Sequence, residues 1–193
     1  MRILRLLVLL VLGLSAAACQ PASDGTSKVV PSMSAEQKPS LSTVAGASGF
    51  MVGNPQSKRT VYVLFDAQCP HCGQLWRDSQ AFWPAATFIW IPVGLINKAS
   101  VLQGAALLQA HSVNTMDAHE LALQRGQGGM DINAAEVPRQ FKDAVESNTE
   151  VLERFGVERV PFVVGEDERT GKMVTIEGDV SAASLPSRLG WAD

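Results

Sequence analysis

Two cysteines separated by two residues, Cys69-Pro70-His71-Cys72, lie where the chain changes its hydrophobic period. Before them runs Val61-Tyr62-Val63-Leu64-Phe65, apolar and β-branched, which reads as a buried central strand over Arg59 to Phe65. After them Leu75, Trp76, Ser79 and Phe82-Trp83 recur at helical spacing until Pro84 stops the helix. A strand that hands a cysteine to the start of a helix constrains the fold and the chemistry together. There a thiolate meets unpaired backbone N–H groups and the positive end of the helix dipole, so it forms more easily than on a free thiol. Pro70 suits the first helical position, where no N–H is needed. Such a pair is expected to cycle between dithiol and disulfide. Cys69, at the exposed helix start, is expected to attack and Cys72 to resolve the mixed disulfide. His71, between them, is expected to stabilise the Cys69 thiolate through partial positive charge and hydrogen bonding.

The rest of the chain supplies a frame for that junction. Phe50 to Val52 reads as a short strand followed by the turn Gly53 to Ser57, and Thr87 to Val93 as another strand, with Pro92 marking its end or an edge. Residues 99 to 155 are strand-poor. Leu102 to Ala110 suggests one helix, Met116, Leu121 and Leu123 a second ending at Gly126, and Val137, Phe141 and Val145 a third. Asn148 reads as the N-cap of a further helix carrying Val151, Leu152 and Phe155, with Gly156 as its stop. Then come a strand at Val160 to Val164, a polar turn, a strand at Lys172 to Ile176 and a helix from about Ala182 to Leu189. That order predicts an α/β domain over residues 50–193, a thioredoxin-like fold with a helical insertion before the last β-hairpin.

Residues Met1 to Ala18 have the parts of an export signal: Arg2 and Arg5, the apolar run Leu6 to Leu14, and small residues up to Cys19. The apolar run is too short to span a bilayer as a mature helix. Ala16-Ala17-Ala18-Cys19 resembles a bacterial lipobox, with Ala16 where leucine is usual. This implies lipidation of Cys19, and Gln20 in place of Asp points to the outer membrane. The alternative is ordinary cleavage after Ala18. Of the three cysteines, lipid on Cys19 leaves Cys69 and Cys72 as one pair, in an exported setting where a disulfide persists. Residues 19–49 are dominated by Ser, Pro, Ala, Gly and Thr and read as a flexible tether with a reach of roughly 30 Å. Without Arg2 and Arg5 the formal charge goes from -3 to about -5, and no basic block remains, so nucleic acid is not an expected partner.

From Val61 through Cys69-Pro70-His71-Cys72 to Trp76 the chain resembles the active-site segment of the DsbC/DsbG family of bacterial periplasmic disulfide isomerases. Pro92 to Ile96, Gly104-Ala105-Ala106, Asn148 to Pro161 and the final hairpin and helix extend the resemblance over about Phe50 to Trp191. It implies a periplasmic thiol-disulfide oxidoreductase acting on protein thiols and disulfides, without a cofactor. It also implies that Pro161 is cis, lies against the cysteine pair and, with Val160, offers backbone to substrate. A tether stands where those isomerases carry a dimerisation domain, so a monomer is expected. Val160 stands where they usually have Thr, and Val before the cis-proline together with Cys-Pro-His-Cys resembles the oxidase DsbA. Direction is therefore open: a reductase or isomerase would draw on a DsbD-like membrane reductant, an oxidase on a DsbB-like partner.

Other readings of the same residues compete. A Cys-x-x-Cys forms half of a zinc site, but closure needs two more ligands, and His71, His111, His119 and carboxylates are the candidates. A copper- or zinc-handling lipoprotein using Cys69, Cys72 and a histidine is the alternative of another class. It is disfavoured because the chain has no Met- or His-rich tract. No resident metal is expected, and His111 and His119 read as helix-surface residues. Trp76, Phe82, Trp83 and Trp90 read as core. Asp66, three residues before Cys69, suits either a buried acid assisting proton transfer or a cap on the loop before the helix.

Overall fold

The structure is a computed structural model and describes residues 39–192. The expected leader, Cys19 and the tether up to residue 38 lie outside the described residues.

Five strands form one mixed sheet in the order β1-β3-β2-β4-β5. They are β1 (Phe50–Gly53), β2 (Thr60–Asp66), β3 (Thr87–Val93), β4 (Phe162–Asp167) and β5 (Lys172–Glu177). β2 runs parallel to β3, and the β1–β3, β2–β4 and β4–β5 pairs are antiparallel. The parallel pair needs a crossover, supplied by α2 (Pro70–Ser79) and a 3-10 turn at Gln80–Phe82. Between β3 and β4 come three helices, α3 (Lys98–Ala110), α4 (Val113–Gln124) and α5 (Arg139–Arg154). This is the helical insertion expected before the last hairpin. A short α6 (Leu185–Arg188) closes the chain.

Alternation along β2 divides the core. Val61, Val63 and Phe65 join Trp76, Phe88, Trp90 and Leu185 on one face, whereas Leu64 joins Ile91, Leu152, Phe162 and Val164 on the other. Trp76 and Trp90 are fully buried, as the sequence predicts, while Phe82 and Trp83 are partly covered and pack against the same cluster. The Trp76 and Trp90 rings, from α2 and β3, meet edge-on at 5.0 Å. Each such side chain contributes roughly 1.5–3 kcal/mol through burial.

Two expectations need correction. The ordered domain begins before Phe50: Leu41–Ala45 form a helical turn, α1, and Val44 is fully buried against the second face. Residues 139–154 form one helix, so Asn148 is not an N-cap. It is buried in the middle of α5, where its amide donates to the carbonyls of Ser48 and Pro92 at 2.8 and 2.9 Å and accepts from Ser48 N–H at 2.9 Å. A polar side chain that satisfies tertiary partners has no need to end a helix. Pro92 does mark the end of its strand: it is the last residue but one of β3, and β1 pairs with β3 only as far as Trp90. Pro92 sits beyond that pairing, where the carbonyl left open is taken by Asn148.

Candidate functional site

Cys69 is the N-cap of α2, its backbone extended at φ -93° and ψ 115°, with Pro70 in the first turn. The loop before it is held by Asp66. Its carbonyl accepts from Cys69 N–H at 3.0 Å, and its side chain, fully buried, accepts from Gln68 N–H at 2.8 Å. The other carboxylate oxygen accepts from Leu95 and Ile96 N–H at 2.7 and 2.9 Å. Both sequence readings of Asp66 are thus partly met: it is a buried acid, and it caps the loop.

The two sulfurs sit in different surroundings. Cys69 is 4% exposed and lines a cleft, so it is more covered than a residue at an exposed helix start would be, while Cys72 is wholly buried. Both are free thiols. The Cys69 thiol is lowered to about 6, chiefly because the Cys72 thiol donates to it. Burial opposes this, and the backbone N–H groups of Cys72 and His71 assist, with the His71 charge adding least. Burial pushes Cys72 well above an ordinary thiol, and the bond to Cys69 holds its proton further. At neutral pH one sulfur is a nucleophile and the other keeps a proton.

His71 helps more through its place in the helix than through its ring. Its imidazole is 64% exposed and faces Asp179, with Nδ1 at 3.7 Å from the carboxylate. Across the cleft the Val160–Pro161 peptide is cis, and the Val160 carbonyl lies 3.5 Å from Cys69 Sγ, placed to accept its proton as a hydrogen bond. Cys69, Cys72, His71, Val160 and Pro161 therefore come together, whereas Cys19 lies outside the described residues. Among those residues, no group of three or more His, Cys, Asp or Glu side chains is placed to hold a metal ion.

The histidines differ. His111 is exposed and ends α3 in the left-handed region at φ 45°. His119, expected at a helix surface, is instead fully buried. Its Nε2 lies 2.6 Å from the Ala67 carbonyl, and Met130 N–H donates to Nδ1 at 3.2 Å. One ring nitrogen donates and the other accepts, which fits the neutral Nε2–H tautomer. Burial pushes its pKa down, against the opposing pull of Ala67 and Asp66. His119 thereby ties α4 to the loop leading into Cys69.

A buried acid that the sequence reading missed lies beside it. Glu120 is 4% exposed, and its carboxylate rests against the first turn of α2 so closely that a Cβ at Gly73 would collide with it. Arg77 stands 3.9 Å away. Burial raises Glu120 to about 7; Arg77 opposes, and the charges of Cys69 and Asp117 push it further up. Its ionisation therefore costs the fold stability above about pH 7 and costs nothing below the ordinary carboxylate range. The available signal was periodicity: from the buried Met116, residues at i+3 and i+4 on α4 are His119 and Glu120, on the same inward face. Asp117, one turn earlier and more exposed, also meets α2, accepting from Trp76 Nε1 at 2.7 Å.

Comparison with known proteins places the architecture. No protein-family model matches the chain. The thiol:disulfide interchange protein DsbG of Pseudomonas aeruginosa is 26% identical over 114 residues, 58% of this chain and 43% of that protein. The chain thus aligns with less than half the length of this relative. Among solved structures, the catalytic domain of Proteus mirabilis ScsC superposes with a TM-score of 0.59 at 17% identity, covering 76% of this chain and 90% of that one. Pseudomonas aeruginosa DsbA2 gives 0.58 at 18% identity, covering 73% and 92%. A periplasmic thioredoxin-like protein from Salmonella enterica serovar Typhimurium gives 0.56 at 17% identity, covering 77% and 92%. The fold is thioredoxin-like.

Proposed function

We propose that this chain is a thiol-disulfide oxidoreductase that exchanges disulfides with protein substrates in the periplasm, held at a membrane by lipid on Cys19. The observation that carries this reading is the asymmetry of the pair: Cys69 lowered to about 6 at the mouth of a cleft, and Cys72 buried behind it with its proton retained. The resemblance to DsbG and the fold shared with ScsC and DsbA2 support it.

In the reducing direction the Cys69 thiolate attacks one sulfur of a substrate disulfide. A Cys69–substrate disulfide forms, and the other substrate sulfur leaves as a thiolate that takes up a proton. Cys72 then loses its proton and attacks Cys69 Sγ, releasing the substrate as a dithiol and leaving the Cys69–Cys72 disulfide. Two electrons pass from the pair to the substrate. A DsbD-like membrane reductant would restore the dithiol, as for a reductase or isomerase. Val160 before Pro161 and the low Cys69 pKa favour a second reading, a dithiol oxidase running the same steps backwards and reoxidised by a DsbB-like partner. A pair trapped in cells mostly as dithiol supports the first direction, and a pair trapped almost wholly oxidised supports the second.

The purified protein is expected to accelerate the reduction of insulin disulfides by dithiothreitol. Failure to do so, together with stoichiometric copper or zinc in the preparation, would replace this reading with a metal-handling one.

A further inference from the structure

The cleft beside Cys69, about 470 Å³ in volume, has two walls of opposite character. One is apolar. Leu95 and Ile96 are 37% and 49% exposed, among the few large hydrophobic side chains at the surface of the described residues, and they stand together. They are not loose. Both of their N–H groups bind the Asp66 carboxylate that also holds Gln68 N–H, Gly94 N–H donates to Thr149 Oγ1 at 2.9 Å, and Asn97 Nδ2 donates to Gln68 Oε1 at 3.1 Å. The apolar wall is therefore fixed relative to Cys69 through a shared buried carboxylate, and Asp66 acts as its positioning residue.

The other wall is acidic. Asp179 is 90% exposed at its side chain, and Glu158 beside it is also exposed. The cation of this wall, Arg159, is engaged at 3.2 Å by Glu177, so it leaves the wall net negative. An exposed apolar pair held rigidly on one side of a nucleophile and two exposed carboxylates on the other, Glu158 and an Asp179 that faces the His71 imidazole at 3.7 Å, complement a segment of matching chemistry.

Resting on the oxidoreductase reading above, we infer that the cleft selects substrate segments in which the reacting cysteine has an apolar residue on one side and a lysine or arginine on the other. The apolar side chain lies on Leu95 and Ile96, and the cation faces Asp179 and Glu158. Segments with acidic residues beside the cysteine are disfavoured by like charge.

The test uses the reduced protein and short peptides whose single cysteine carries a chromogenic thionitrobenzoate, released as Cys69 attacks the peptide sulfur. Peptides with Leu and Lys flanking the cysteine, in both orders, are compared with their Leu/Glu and Ser/Lys counterparts. The Lys peptides are expected to react about tenfold faster than the Glu peptides at low ionic strength, and the ratio is expected to shrink as salt is added. A Glu158→Lys, Asp179→Lys variant is expected to reverse that ratio. Leu95→Ser, Ile96→Ser is expected to remove the preference for Leu over Ser while keeping the preference for Lys over Glu. Ratios within one variant cancel any change in the reactivity of Cys69 itself. Rapid exchange with no preference among the peptides overturns the inference and leaves the oxidoreductase reading standing. No exchange with any peptide overturns both.

Discussion

Replacing Cys72 with alanine is expected to halt the reaction halfway, leaving a substrate joined to Cys69 by a disulfide that no other thiol among the described residues can resolve. The reason is geometric. Cys72 is wholly buried behind Cys69 and close enough that its thiol donates to the Cys69 sulfur. The described residues contain no third cysteine that could take its place. Mixing the reduced variant with a disulfide-bonded protein should give a covalent adduct on a non-reducing gel, and digestion should place the link at Cys69. Cys69→Ala should give no adduct, because Cys72 is buried and holds its proton well above the ordinary thiol range. Turnover should fall by about three orders of magnitude or more in either variant, as when a covalent nucleophile is removed from other enzymes. An adduct at Cys72 in the Cys69→Ala protein would reverse the roles.

The second large effect concerns the reduced protein alone. Cys69 titrates near 6 in the fold and in the ordinary thiol range, about 8.5, when unfolded. A depressed acid stabilises the fold fully above its unfolded pKa and loses that contribution as pH falls through its folded one. The window is therefore between about pH 8.5 and pH 6, and the contribution amounts to roughly 3 kcal/mol at its alkaline end. Glu120, raised to about 7, works in the opposite sense over a lower range. Comparing reduced wild type with Cys69→Ala subtracts most of that opposing effect. Urea unfolding at pH 8.5 and pH 6 should show wild type losing about 2–3 kcal/mol more than the variant on acidification. Equal losses would mean that the thiolate has no special stabilisation. Because the disulfide form lacks the thiolate, the same energy favours reduction of the pair.

The strand-to-helix junction was readable because everything that sets it is local: the apolar run of β2, the period change after Cys72, and Pro70 in the first turn. The boundaries of β3, Thr87–Val93, were readable for the same reason. What escaped depends on contacts distant in the chain. Asn148 is a good cap by local chemistry, yet its partners are Ser48, one hundred residues back, and Pro92. Val44 is one apolar residue in a Ser- and Ala-rich stretch, and only the far face of the sheet makes it core. His119 and Glu120 share a helix face with Met116, but their burial is decided by Ala67, Met130 and α2, none of which periodicity can place. Asp66 was recognised as an acid near the pair, whereas its grip on Leu95 and Ile96 required β2 and β3 to be aligned in parallel.

The reduction potential of the Cys69–Cys72 pair, measured by equilibration with glutathione, bears most directly on the account. A nucleophile near 6 lies between thioredoxin's, at about 7, and DsbA's, at about 3.5. The potential is accordingly predicted to lie between about -270 mV and about -120 mV. A value below about -300 mV, the range of structural disulfides, or a pair that forms no disulfide at any glutathione ratio, would contradict it.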